Sequence, residues 1–237
     1  MTDHIVKAFD DELQNLKTML SQMGGLAEDE LARAIDAISR RDSHLADQVI
    51  ASDNQVDDLE RAIEERAILV IAKRQPMASD LREIMVAIRV SADLERIGDF
   101  AKNIAKRTHA VSDDYPRRVM TGITRMGEMA LNQLKEVLDS YIQRDAEKAM
   151  EVWRRDEDLD ALYNSIFREL LTYMMEDPRT IGLCTHLMFG AKNIERIGDH
   201  CTNIAENVYY LVHGRPLAGE RPKGDITSFT PVSKLEK

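Results

Sequence analysis

Apolar residues return every third or fourth position through most of this chain, the spacing that stacks side chains on one face of an α-helix. Ile63, Ala67, Val70 and Ile71 form one such stripe, Leu81, Ile84, Met85 and Ile88 a second, and Leu159, Leu162, Ile166 and Leu170 a third. No run alternates apolar and polar residues between hairpin turns, so strands are not expected. Before residue 214 the prolines are Pro76, Pro116 and Pro178. Proline disrupts a helix interior but suits its first turn, so each marks an expected helix start. The polar segments at Arg40 to Ser43 and Gln143 to Asp145 mark further breaks, and Gly24-Gly25 an expected kink. The pattern predicts six long helices, at residues 3–40, 42–74, 77–111, 116–143, 145–176 and 178–213. Their short connections imply antiparallel neighbours. Residues 214–237 hold three Pro and three Gly without periodicity and are expected to form a flexible tail.

The chain repeats itself. DLERIGDFAKNIA at residues 93–105 returns as NIERIGDHCTNIA at residues 193–205, identical at eight of thirteen positions. Asp53 and Asp57 match Asp156 and Asp160 at an offset of 103, and Pro76 matches Pro178 at 102. The expected architecture is therefore all-α: two tandem three-helix bundles, residues 1–112 and 115–213, followed by the tail.

Composition narrows the function. The 237 residues carry 42 Asp and Glu against 32 Lys and Arg, a net charge of −10, and only 5% are aromatic. The core must be aliphatic. Collagen, disulfide scaffolds and disordered chains are excluded by this composition. An acidic chain repels phosphodiester backbones, so nucleic acid is not an expected partner. Cys184 and Cys201, 17 residues apart on one expected helix, stand about 25 Å apart, too far for a disulfide. A reducing, cytoplasmic setting is the expectation. The first residues contain acids and no apolar core of a signal peptide. No uncharged run is long enough to cross a bilayer, so a membrane is expected to be met only through a partner.

The repeated helix carries the candidate chemistry. At about 100° per residue, Leu94, Ile97, Ala101, Ile104 and Ala105 share a core face. Glu95, Asp99 and Asn103, four apart, stack beside it, as do Glu195, Asp199 and Asn203 in the second copy. Asp53 with Asp57, and Asp156 with Asp160, flank the apolar face of the preceding helix. If these flanks meet, four carboxylates and an amide converge near the surface of each copy. Such an oxygen-rich set suits Mg, Mn, Fe or Zn, with water completing the coordination. The alternative on spacing alone is a solvated acidic face balanced by Arg96 and Arg196. Gly98 and Gly198 sit mid-helix, where glycine costs about 1 kcal/mol against alanine, and mark a close approach of a helix or a ligand. There is no Glu-x-x-His for a di-iron site, no phosphate-binding loop and no nucleophile elbow. Cys184, His186, His200 and Cys201 lack zinc-ligand spacing and read as buried thiols and partly exposed imidazoles.

RQPMASDLR at residues 74–82, ADLERIGD at 92–99 and NIERIGDH at 193–200 closely resemble the PhoU family of phosphate-uptake regulators, over about residues 4–213. The resemblance implies two three-helix bundles, a homodimer and a cytoplasmic, non-enzymatic regulator of phosphate transport and phosphate homeostasis. The implied partners are the phosphate ABC transporter ATPase and a phosphate sensor kinase, with the starvation regulon held off when phosphate is plentiful. It also implies metal at the E(D)xxxD motifs, carried here by Asp53, Asp57, Glu95, Asp99 and Asn103 in copy one and Asp156, Asp160, Glu195, Asp199 and Asn203 in copy two. Asp93 becomes Asn193, so the copies need not bind equal numbers of ions. The competing function is a metal-dependent hydrolase built on the same carboxylates. A hydrolase needs a base beside each cluster; His200 adjoins Asp199, but Phe100 stands at the equivalent place in copy one.

Overall fold

The computed structural model describes residues 2–111 and 117–219, with side chains from Phe9 onward. Within them every regular element is helical: α1 (Thr2–Arg40), α2 (Ser43–Ser52), α3 (Asn54–Arg74), α4 (Ser79–Thr108), α5 (Arg117–Gln143), α6 (Ala146–Glu176) and α7 (Ile181–His213), with a short 3-10 turn at Pro178–Thr180. The six expected rods are present, with one difference. The second is interrupted at Asp53, where short polar side chains weaken the helix by competing for its backbone. Ser52 Oγ donates to the Val49 carbonyl at 3.0 Å, and Asp53 turns its carboxylate inward. Gly24-Gly25 does not break α1, which runs through both. Pro116 and most of the expected tail lie outside the described residues.

The repeat extends to the turns. Arg41 (φ 58°) and Arg144 (φ 54°) both adopt the left-handed conformation that ends a helix. The next N–H in each turn, from Asp42 and Asp145, closes on Ala37 and Ser140 carbonyls, both at 2.9 Å. The Asp42 carboxylate then accepts the Leu45 N–H at 2.9 Å, and Asp145 accepts from Glu147 and Lys148 at 3.1 Å each. Such a cap stabilises a helix start by about 1 kcal/mol. Pro76 lies between Gln75 and Ala78, both at positive φ, so α4 begins at Ser79, two residues later than expected. Pro178 opens the 3-10 turn ahead of α7.

One aliphatic core runs through both copies. Its continuity comes from α4 and α7, which pack antiparallel across the copies. Arg82 lies against Gly214, Arg89 over the Tyr210 ring, Asp93 against His200 and Asn203, and Arg107 over Phe189. Phe100 and His200, equivalent positions of the repeat, meet with ring centroids 5.6 Å apart, as an approximate two-fold axis requires. Leu94, Ile97, Ala101, Ile104 and Ala105 are all fully buried, as the helical pattern predicts. The second stripe is only half core: Ile84 is buried, while Leu81 and Met85 remain exposed on a flank that no helix among the described residues covers.

Gly198 is a contact glycine: a Cβ there would press on Leu159 Cδ2 and lie 2.6 Å from Asp156 Oδ1. Gly25 has open space on all sides. Gly198→Ala is expected to destabilise the fold by about 1–3 kcal/mol through overpacking. Gly25→Ala is expected to stabilise it by up to about 1 kcal/mol through helix propensity. Urea unfolding followed by circular dichroism tests the pair.

Candidate functional site

In copy one the motif residues gather where α1, the α2–α3 break and α4 meet. The break at Asp53 carries its carboxylate under the bundle surface, to 2% exposure, deeper than a flanking position implies. Asp57, one turn on, stays half-buried, as do Glu95, Asp99 and Asn103 on α4. Lys102 binds Asp53 and Asp99 together, the contact to Asp99 being 3.0 Å. Arg96 reaches Glu95 at 3.5 Å and Asp99 at 3.8 Å, so the expected balancing arginine is present in this copy. Gly98 makes the approach possible: its Cβ position is 3.3 Å from Glu30 Oε2, 3.4 Å from Val56 and 3.7 Å from Asp53 Oδ1.

Glu30 is the residue that sequence reasoning missed. It lies on α1, 2% exposed, and neither carboxylate oxygen has a hydrogen-bond partner. Its signal in the sequence is an acid flanked by Leu26, Ala27, Leu31 and Ala34, within an apolar stripe. A lone acid in such a stripe does not announce which helix it will face.

Copy two repeats the arrangement more deeply buried. Asp156, Asp160 and Glu195 are at 1%, 3% and 4% exposure. Asp199 is half-buried, and Lys192 pairs with Glu195 at 2.9 Å. Gln133 occupies the place of Glu30, its amide oxygen 3.3 Å from the Cβ position of Gly198. Asn203 is exposed and donates its side-chain N–H to Asp93 of copy one at 3.2 Å. Arg196 leaves its own carboxylates and lies 5.7 Å over the Phe100 ring of copy one. His200 places Nδ1 2.8 Å from Asp93 Oδ1, so it faces the seam between copies and not the carboxylates of its own copy. His186 Nδ1 lies 3.3 Å from Arg107, and both cysteines are buried and unbridged.

Burial dominates the electrostatics. Desolvation pushes the Glu30 carboxyl up to about 7, with the Asp53 charge adding to it and Ser52 opposing it. Glu195 is likewise pushed up to about 7 by desolvation, against the pull of Lys192. Asp57 and Glu95 are raised by desolvation first, then by Asp53 and Asp99 respectively. Burial pulls the Lys102 ammonium down, but hydrogen bonds to Asp53 and Asp99 outweigh it and raise it well above its usual value. Protein oxygens of this kind fit a hard or borderline cation. Among the described residues, no three His, Cys, Asp or Glu side chains converge on one point as an ion would require.

The model of the PhoU domain matches the chain twice, at residues 20–108 and 123–208. The chain belongs to the PhoU family. Each PhoU domain encloses one set of motif carboxylates, and the first includes Glu30. A PhoU homolog of Rhizobium meliloti, named a phosphate-specific transport system accessory protein, is 58% identical over 226 residues, 95% of each chain. The Escherichia coli PhoU of that name is 40% identical over 91% of this chain and 89% of its own. The crystal structure of PhoU from Pseudomonas aeruginosa superposes with a TM-score of 0.83 at 38% identity, covering 87% of this chain and all of that one.

Glu30 gives this PhoU protein a measurable pH signature. Unfolded, its carboxyl titrates near 4.5; folded, near 7. The stability associated with its protonated form is intact below 4.5 and is lost as pH rises through 7. Glu30→Gln is therefore expected to match the parent near pH 4.5. At pH 8, in chelator, it should exceed the parent by on the order of 2 kcal/mol. Denaturant unfolding at the two pH values checks this.

Proposed function

We propose that this protein is a cytoplasmic, homodimeric regulator of phosphate transport, a non-enzymatic adaptor between the phosphate transporter ATPase and a phosphate sensor kinase, with metal held at its paired carboxylate motifs. The observation that carries this reading is the double PhoU domain across the chain, together with relatives named as accessory proteins of the phosphate-specific transport system. No helix among the described residues is long and apolar enough to cross a membrane, and in this reading the membrane is met only through the transporter. Exposed apolar side chains, Met77 in the α3–α4 connection and Leu81 and Met85 on α4, suit docking to other proteins.

A metal would be held by Asp53, Asp57, Glu95 and Asp99 in copy one and by Asp156, Asp160, Glu195 and Asp199 in copy two, with Asn103 and Asn203 at the rim. Fe, Zn, Mn and Mg all fit oxygen donors with water completing the shell. When bound, the ion supplies positive charge to a surface that is otherwise acidic, a recruiting point for phosphate or for acidic residues of a partner. The buried carboxylates hold their places through the packing around Gly98 and Gly198. The engagement of His200 with Asp93 favours an adaptor over a hydrolase, because it takes the candidate general base away from the copy-two carboxylates.

The test is complementation. A strain lacking the protein, carrying a phosphate-starvation reporter, is expected to express the reporter in high phosphate and to be silenced by the wild-type gene. Glu95→Gln with Asp99→Asn is expected to restore silencing incompletely while folding normally. Full silencing by that variant would reject a role for copy-one metal, and failure of the wild-type gene to silence would reject the regulatory reading.

A further inference from the structure

The lysines of the two copies are exchanged between equivalent positions. Lys102 in copy one corresponds to Thr202 in copy two, and Lys192 in copy two corresponds to Ala92 in copy one. Each copy thus keeps one lysine at its carboxylates, three residues after Asp99 in one case and three before Glu195 in the other. The vacated positions have no charge to offer: Thr202 is fully buried with its hydroxyl on the Asp199 carbonyl at 2.7 Å, and Ala92 has no polar atom. The lysine moves along the helix between the copies yet ends on motif carboxylates in both, Asp53 and Asp99 in copy one and Glu195 in copy two.

Contacts show what the lysine does. Lys102 Nζ joins Asp53, from the α2–α3 break, to Asp99, on α4. These are one member of each motif pair, the two groups that a bound cation would bridge. Lys192 Nζ holds Glu195, which is 4% exposed. Copy one also carries Glu30, nine-tenths buried with both oxygens unpartnered, aimed at the same Gly98 gap as Asp53 Oδ1. Copy two has neutral Gln133 there. Moving from copy one to copy two therefore removes one negative charge while one lysine is kept.

We propose that Lys102 and Lys192 are resident counter-ions, which occupy the cation's place in the metal-free protein and must be displaced for a metal ion to bind. The inference rests on the metal reading above. Burying several carboxylates near one another costs several kcal/mol per ion unless positive charge is supplied. An ammonium on a four-carbon stem supplies it reversibly, because it can swing to water when a divalent ion replaces it. Metal loading would then release a lysine to the surface, so the loaded and metal-free proteins would present different charge to a partner. Glu30, aimed at the same gap as Asp53, is the reserve ligand of copy one.

The experiment measures Mn2+ binding to the full chain by electron paramagnetic resonance of the free ion, with melting temperature alongside. The proteins are wild type, Lys102→Met, Lys102→Arg, Lys192→Met and Lys102→Met with Glu30→Gln. Removing a half-buried positive competitor is expected to tighten Mn2+ binding in the altered copy about tenfold or more. Metal-free Lys102→Met is expected to melt about 5–15 °C lower and to recover with Mn2+. Lys102→Arg keeps the charge and should bind as weakly as wild type, and adding Glu30→Gln should reverse much of the gain. Should Lys102→Met prove too unstable, Lys102→Gln and Lys192→Met give the same readout. Wild type that binds Mn2+ with Lys102→Met and Lys192→Met no tighter would overturn the counter-ion proposal and leave the metal reading standing. Binding by the Met variants alone would reject metal in the native protein and overturn displacement, because the native lysines would then exclude the ion. No binding by any folded protein at millimolar Mn2+ would overturn both.

Discussion

A carboxylate taken out of water must find positive charge or a proton, and this bundle takes Glu30, Asp53, Asp156, Asp160 and Glu195 almost completely out of water. That demand organises the region where the three helical rods of each copy meet. It places Lys102 between Asp53 and Asp99, and Lys192 on Glu195. It raises Glu30 and Glu195 toward neutral pH, so that both sit at the edge between a proton and a cation. A site poised in this way is expensive as pure scaffold, since an apolar residue at each position would pack with less penalty. The cost makes sense where an exchangeable cation has a task.

The architecture that sustains this burial is the antiparallel pairing of α4 and α7. Each long helix faces its own copy on one side and the other copy on the opposite side. Gly98 and Gly198 admit carboxylates from the preceding helix on the first side. On the second side Phe100 stacks near His200, Arg196 covers Phe100, and Asp93 gathers His200 and Asn203. The two carboxylate sets are thus mounted on one rigid seam. A change of charge in one set acts on a helix that also forms the seam with the other.

The divergence of the copies is visible in that seam as well. Asp93 became Asn193 and Phe100 became His200, so a symmetrical crossing would have lost the Asp93–His200 contact on one side and kept it on the other. The lone contact that remains explains why Asn203, a rim ligand by motif, donates across the interface while Asn103 stays half-buried in its own copy. The two arginines also differ: Arg96 reaches Glu95 and Asp99 of its own copy, while Arg196 lies over the Phe100 ring opposite.

Sequence alone determined the all-helical class, the six rods, the duplication and the core face of the repeated helix, because helical periodicity and proline placement are local properties of the chain. It also located the motif carboxylates, because spacing of four places Glu95 and Asp99 on one face whatever else the helix touches. Depth escaped it. Asp53 flanks an apolar stripe and Leu81 belongs to one, yet Asp53 is buried beneath Lys102 and Leu81 faces solvent, because burial depends on which neighbouring helix covers a face. The break at Asp53, the entry of Glu30 from α1 and the turning of His200 away from its own copy were likewise decided by tertiary packing. Each requires residues dozens of positions apart to compete for the same small volume, and the period of a single helix carries no record of that competition.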